Sequence, residues 1–169
     1  TDTAGNSSEK PVSMSINNID EQPLDEDYNG IADGSELSAY QLMSQAGAVT
    51  LTNRSGTTYN HSSTGGWDAA VAVQTDNGFQ VLLEGTAARN DQFYLWNTNA
   101  DGVIQSGSGW KSADAATGLG WEETFSYDTN GDGIIGALVD DDANGIADGS
   151  ELSAYQLISE AGAVTLTNR

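Results

Sequence analysis

Residues 25–54 read DEDYNGIADGSELSAYQLMSQAGAVTLTNR, and residues 140–169 read DDDANGIADGSELSAYQLISEAGAVTLTNR. The copies differ only at Glu26/Asp141, Tyr28/Ala143, Met43/Ile158 and Gln45/Glu160. A near-identical stretch returning after 115 residues is the mark of a tandem array, and a spacing of that size makes each bead a whole domain rather than a solenoid coil. This reading makes 25–139 one complete unit and 140–169 the start of the next, although a unit of 55–169 is equally complete. Residues 1–24 stand outside the unit.

The acidic head of each copy carries the chemistry. Asp25, Asp27, Asn29, Asp33 and Glu36 fall at positions 1, 3, 5, 9 and 12 of an EF-hand-type loop, with Gly30 at the sharp-turn position 6 and the carbonyl of Ile31 at position 7. Asp140, Asp142, Asn144, Asp148 and Glu151, with the carbonyl of Ile146, take the same places in the second copy. Calcium is a hard cation that takes six to eight oxygens, and alternate residues of a tight loop can supply them. The bland alternative is an acidic, solvated turn; the same pattern occurring twice argues against it. A third, partial loop runs from Asp128 through Asn130, Asp132, Gly133 and Ile134 to Gly136. It lacks the closing carboxylate, because Gly136 and Val139 occupy positions 9 and 12. Glu122 or Glu123, just upstream, is expected to complete that shell. Ca²⁺ is therefore the expected cofactor, and the fold is expected to need it.

Each full loop is expected to run into a helix, because Leu37, Tyr40 and Met43 are spaced for one helical face and Gly47 offers a stop. No helix is indicated before Asp25, so these read as loop–helix units and not as paired sensor EF-hands. Between the loops the signal is β. Ala48–Asn53 alternates, Trp67–Val73 and Phe79–Leu83 flank an Asp76-Asn77-Gly78 hairpin turn, and Gln92–Trp96 turns through Asn99–Gly102 into Val103 and Ile104. Short helices are expected near Ser112–Ala116 or Trp121–Phe125. The fold class is α+β: an antiparallel β-sheet with short helices and EF-hand-like calcium loops, in a tandem repeat array. Trp67, Trp96, Trp110 and Trp121 are expected in the core, because Trp67 and Trp96 sit in alternating strands, with a sugar-stacking surface for some of them as the alternative.

Composition excludes several functions. The 25 acids against 5 bases leave a formal charge of −20, which opposes nucleic acid and anionic lipid. No cysteine is present, so disulfides and thiolate metal sites are ruled out. No run approaches the roughly 18 apolar residues of a membrane span. No catalytic arrangement is legible: the one histidine, His61, lies in a Ser/Thr/Gly loop, there is no Gly-x-Ser-x-Gly elbow, and adjacent Glu122 and Glu123 make a poor acid–base pair. The expectation is a protein that is not an enzyme.

The runs Gly78–Leu83, Phe93–Gly102, Glu123–Phe125 and Asp128–Gly136 resemble the tryptophan-rich repeat domain of bacterial and cyanobacterial surface proteins, across roughly residues 37–136. Thr1–Ser7 and Val12–Glu21 resemble the last strands of a bacterial immunoglobulin-like domain and the acidic linker of giant, calcium-dependent repeat adhesins exported by type I secretion. Together these resemblances imply an extracellular, bacterial cell-surface location, with 1–24 closing a preceding immunoglobulin-like domain. They imply a calcium-stiffened spacer or ligand-binding unit of an adhesin. The alternative is a carbohydrate-binding or dockerin-like accessory module of a secreted polysaccharide-degrading enzyme. The expected partners are neighbouring repeats of the same chain and a carbohydrate or other cell-surface ligand.

Overall fold

The computed structural model describes residues 23–136, 143, 146, 156–159 and 162–166. The expected immunoglobulin-like strand before residue 23, and most of the loop at 140–151, lie outside the described residues.

A hairpin follows the first acidic loop. β1 (Gln41–Ser44) and β2 (Gly47–Thr50) pair antiparallel, Leu42 opposite Val49. The helix expected over 36–43 is not formed; only a single 3-10 turn, Ser35–Leu37, follows the loop. Burial explains the difference. Tyr40 and Leu42 are both fully buried whereas Leu37 is 70% exposed, so the face in use has period two and not 3.6. The strand is then held from outside, since Ala32 N donates to Gln41 O and Met43 N to Gly30 O, both at 2.8 Å.

The main sheet has five strands. β3 (Trp67–Thr75) and β4 (Gly78–Gly85) pair across the Asp76-Asn77 turn, with a register shift between Ala69 and Val71. β4 pairs in turn with β5 (Gln92–Thr98). On the far side of β5, β6 (Ile104–Gly107) lies along its end and β7 (Lys111–Ser112) along its beginning, both antiparallel. α1 (Ala113–Gly118) starts from a Ser112 side-chain cap, and α2 (Trp121–Phe125) follows it.

Alternation along the strands divides the core between the two faces of this sheet. One face packs Ala72, Phe79 and Val81 against Ile31, Tyr40, Leu42 and Leu51. The other packs Val71, Leu82 and Phe93 against Ala116, Trp121 and Phe125 of the helices. The architecture is thus antiparallel β-sheet with a few short helices. Among the described residues no helix is long and apolar enough to cross a membrane. β8 (Gln156–Ser159) and β9 (Gly162–Thr165) pair with Leu157 opposite Val164. That is the register of β1 and β2, and the Ile146–Leu157 bridge likewise repeats the Ile31–Leu42 bridge.

Candidate metal centre

The two acidic loops within the described residues share four hydrogen bonds. At the head of the first, Asp25 Oδ1 accepts from Asn29 N and Asp25 Oδ2 from Gly30 N, both at 3.1 Å. Asp27 Oδ1 accepts from Asn29 N at 3.2 Å, and Asn29 Oδ1 from Ile31 N at 2.8 Å. In the partial loop, Asp128 Oδ1 accepts from Asp132 N at 3.2 Å and Asp128 Oδ2 from Gly133 N at 2.8 Å. Asn130 Oδ1 accepts from Asp132 N at 2.9 Å, and Asp132 Oδ1 from Ile134 N at 2.8 Å. Place for place these are the same acceptors and donors. Short Asp and Asn side chains can bond amides a few residues ahead, which curls the chain and turns its oxygens inward.

The loops are seated differently. The first sits on the sheet: Asn29 O accepts from Ala72 N at 2.7 Å, and Ile31 and Ala32 are buried. Gly30, at φ 78°, is pressed so closely to β3 that a Cβ there would stand 2.0 Å from the Ala72 carbonyl oxygen. Beside this contact lies a cleft of about 190 Å³, lined by Asp27, Asn29, Ile31, Asp33 and Glu36 and, from β3, by Asp68. The cleft is lined by all the sequence-predicted residues of this loop except Asp25. Asp68 is the addition. Sequence reading passed over it inside an apolar run, yet a carboxylate in Trp67–Val73 is the one charged residue there. Tyr40 OH donates to Asp68 Oδ1, which fixes that carboxylate at the cleft. Burial first, and then the bond to Asp68, push the Tyr40 phenol well above its usual range. His61 is exposed; its backbone N and Nδ1 lie 3.0 and 2.9 Å from Glu36 O, tying the 60–64 loop to the closing residue.

The partial loop is held by a buried carboxylate on α2. Glu122 is fully buried. Its Oε1 accepts from Thr117 Oγ1 at 2.8 Å, Thr129 N at 2.9 Å and Thr129 Oγ1 at 2.7 Å, and its Oε2 accepts from Gly136 N at 2.8 Å. Burial pushes this carboxyl up, but the bonds from Thr129, Thr117 and Gly136 together outweigh it and hold its pKa below the ordinary value. Glu122 is therefore occupied in fastening both ends of the loop. Glu123 stands nearer the open side, its Oε1 only 2.6 Å from where a Cβ on Gly136 would be.

Of the second full loop, only Ala143 and Ile146 are described. Ala143 has φ 56°, against 58° for the matching Tyr28. Asp140, Asp142, Asn144, Asp148 and Glu151 lie outside the described residues. Among the described residues, no three acidic, histidine or cysteine side chains gather closely enough to grip an ion by themselves.

Comparison with known proteins narrows the family. The family model described as the tryptophan-rich Synechocystis species C-terminal domain matches residues 33–136. Neither a curated protein nor a solved structure matches the chain. This corrects the identification with calcium-dependent adhesin repeats, because the matching family is the Synechocystis C-terminal domain and nothing in the match speaks for an adhesin. The Trp–Asn–Thr and Asn-Gly-Asp-Gly segments on which the resemblance rests do lie inside the match, whereas the residues that suggested adhesins, 1–21, lie outside it. With most of its length covered, the chain belongs to the family of the tryptophan-rich Synechocystis species C-terminal domain.

Proposed function

We propose that the chain is a non-catalytic, extracellular calcium-binding module, repeated in tandem, in which EF-hand-like loops hold calcium and tie the acidic segments to the sheet. The observation that carries this reading is the common hydrogen-bond network of the loops at 25–31 and 128–134, together with the cleft that the first loop and β3 line. The donors there suit a hard cation: carboxylates from Asp27, Asp33, Glu36 and Asp68, the carboxamide of Asn29, and the Ile31 carbonyl. Neutral oxygens are normal members of a calcium shell, so the set does not depend on three acids converging. Asp25 is the loop's first ligand in the EF-hand pattern, and its amide bonds hold the turn in which the other oxygens are presented. Calcium bound to these residues would supply the positive charge that offsets their mutual repulsion. The partial loop is the weaker site, with Glu123 as the carboxylate available to close it.

The test is a thermal melt of the chain in millimolar calcium and again in excess EDTA. A ligand that binds only the folded state at about 100 times its Kd stabilises it by about 2.7 kcal/mol per site. The expected result is a melting temperature many degrees lower in EDTA, with magnesium a poor substitute. Superimposable melts in calcium and EDTA would overturn the reading.

A further inference from the structure

We infer that the face of the sheet beside the calcium loop carries a binding site for an acidic sugar ring, built from Trp67, Tyr94 and Trp96 over Leu83 and rimmed by Arg89. Beside Arg89, which stands against Trp67, the side chains of Trp67, Leu83, Tyr94 and Trp96 line a cleft of about 220 Å³. That is below the roughly 300–1,000 Å³ of pockets that enclose a drug-sized ligand, so it accepts one ring of a longer chain. Leu83 forms a buried floor, while the three aromatic rings are partly buried and keep a face or edge open to solvent.

The rings are held in place. Trp67 meets Tyr94 edge-on at 5.7 Å between centroids, and Trp96 leans on Tyr59 at 5.1 Å. Tyr94 also lies across Gly107, where a Cβ would stand 2.6 Å from its hydroxyl oxygen. Arg89 extends from the turn Ala87–Arg89 between β4 and β5, bracketed by Ala87 and Asp91 at φ 53° and 61°. Its guanidinium carbon sits 5.2 Å from the Trp67 ring, and its Nε donates to Gly65 O at 3.2 Å.

The occupant follows from what this surface offers. A pyranose ring has an apolar C–H face that stacks on indole and a polar edge that needs hydrogen bonds. Among the described residues, the Trp67 and Trp96 indole N–H groups, the Tyr94 hydroxyl and the two Arg89 Nη groups make no internal hydrogen bond. Indole and guanidinium nitrogens donate and do not accept, so the rim calls for an acceptor-rich edge. No acidic side chain lines the cleft, and the guanidinium fork matches a carboxylate with two parallel bonds. A uronate ring has both the stacking face and the carboxylate. The chain's charge of −20 repels anions at long range, but at physiological salt that field is screened within about 8 Å, and the contact with Arg89 then decides.

The experiment titrates a glucuronate-containing tetrasaccharide, and the same tetrasaccharide after reduction of its carboxyl groups, into the full chain in one calcium buffer. Tryptophan fluorescence and calorimetry give the readout. The acidic sugar should perturb tryptophan emission and bind about tenfold more tightly than its reduced form, as a charge-assisted hydrogen bond warrants. Arg89 is exposed, so Arg89→Gln should leave the fold intact and remove that preference. Tyr94→Phe, which deletes only the hydroxyl, should weaken binding of both sugars. Equal binding of the two sugars, no binding of either, or an Arg89→Gln variant that keeps the preference would overturn the proposal. So would sedimentation showing that the cleft is closed by a second copy of the chain.

Discussion

The loops at 25–36 and 128–136 share one hydrogen-bond scheme and differ in what they rest on. The first is pressed onto β3 just past its register shift, with Gly30 against the Ala72 backbone and Ile31 in the core. The second is fastened to the helices chiefly by the buried carboxylate of Glu122, with Thr129 also bonding Thr117 and Ala113. A loop sequence of Asp and Asn at alternate places is thus enough to make the turn, while the support determines which oxygens it can gather. On the sheet, β3 brings Asp68 to the cleft that Asp33 and Glu36 also line; on the helix, Glu122 is spent on fastening, and Glu123 lies beside Gly136. The first loop is accordingly the stronger candidate for tight calcium binding.

Five substitutions probe this contrast. Glu122→Ala should have the largest effect, because it leaves the buried amides of Thr129 and Gly136 without an acceptor, at about 1–3 kcal/mol each. A loss of about 4 kcal/mol in denaturant unfolding is expected, with the 128–136 amides exchanging fast while those of 25–36 stay protected. Glu122 also sets a pH dependence. Its folded pKa lies below the ordinary value of 4.5, so its contribution is complete above that value and is lost as pH falls through the lowered one. Glu122→Gln should therefore flatten the acid limb of the stability curve.

Gly30→Ala comes next, at about 3 kcal/mol, since the new methyl meets backbone that cannot move cheaply and the residue is strained at positive φ. Gly133 holds the same place in the other loop with φ 82°, but nothing lies within 4 Å of its would-be Cβ. Gly133→Ala should therefore cost only the backbone strain, about 1 kcal/mol. Equal losses at the two glycines in thermal melts would mean that the loops are supported alike. The smallest stability effect is expected of Asp68→Asn, which keeps an acceptor for Tyr40 OH; it should weaken calcium binding several-fold and barely move the melt of the calcium-free chain.

Much of this was legible in the residues. The Asp76-Asn77 turn, the strands on either side of it and the turn after β5 follow from local chemistry: turn residues between alternating apolar runs. The hydrogen-bonded turn of the two acidic loops follows for the same reason, because Asp and Asn at alternate places are a matter of spacing within one loop. What was missed depends on contacts distant in sequence. Leu37, Tyr40 and Met43 suit a helix, and only the packing of Tyr40 and Leu42 beneath the sheet, with the carbonyls of Gly30 and Gln41 accepting from the chain beside them, makes that segment a strand. Asp68 joins the cleft from a strand about 40 residues from Asp27. Glu122 could be named as a neighbour of the partial loop, but its role as a clasp rests on burial, which spacing does not reveal. Of the tryptophans expected in the core, Trp121 is buried there and Trp96 packs against it, whereas Trp110 is 60% exposed and Trp67 lines the open cleft.

The central claim is that Glu36 closes a calcium shell which the first loop and β3 begin. Calorimetric titration of calcium into the wild-type chain and into Glu36→Gln tests it most directly, because a neutral amide cannot provide the two-oxygen closure that a position-12 carboxylate gives. The account predicts that the variant loses one site, with the remaining heats unchanged and the calcium-free melt unaltered. The same stoichiometry and affinity in both proteins would contradict it.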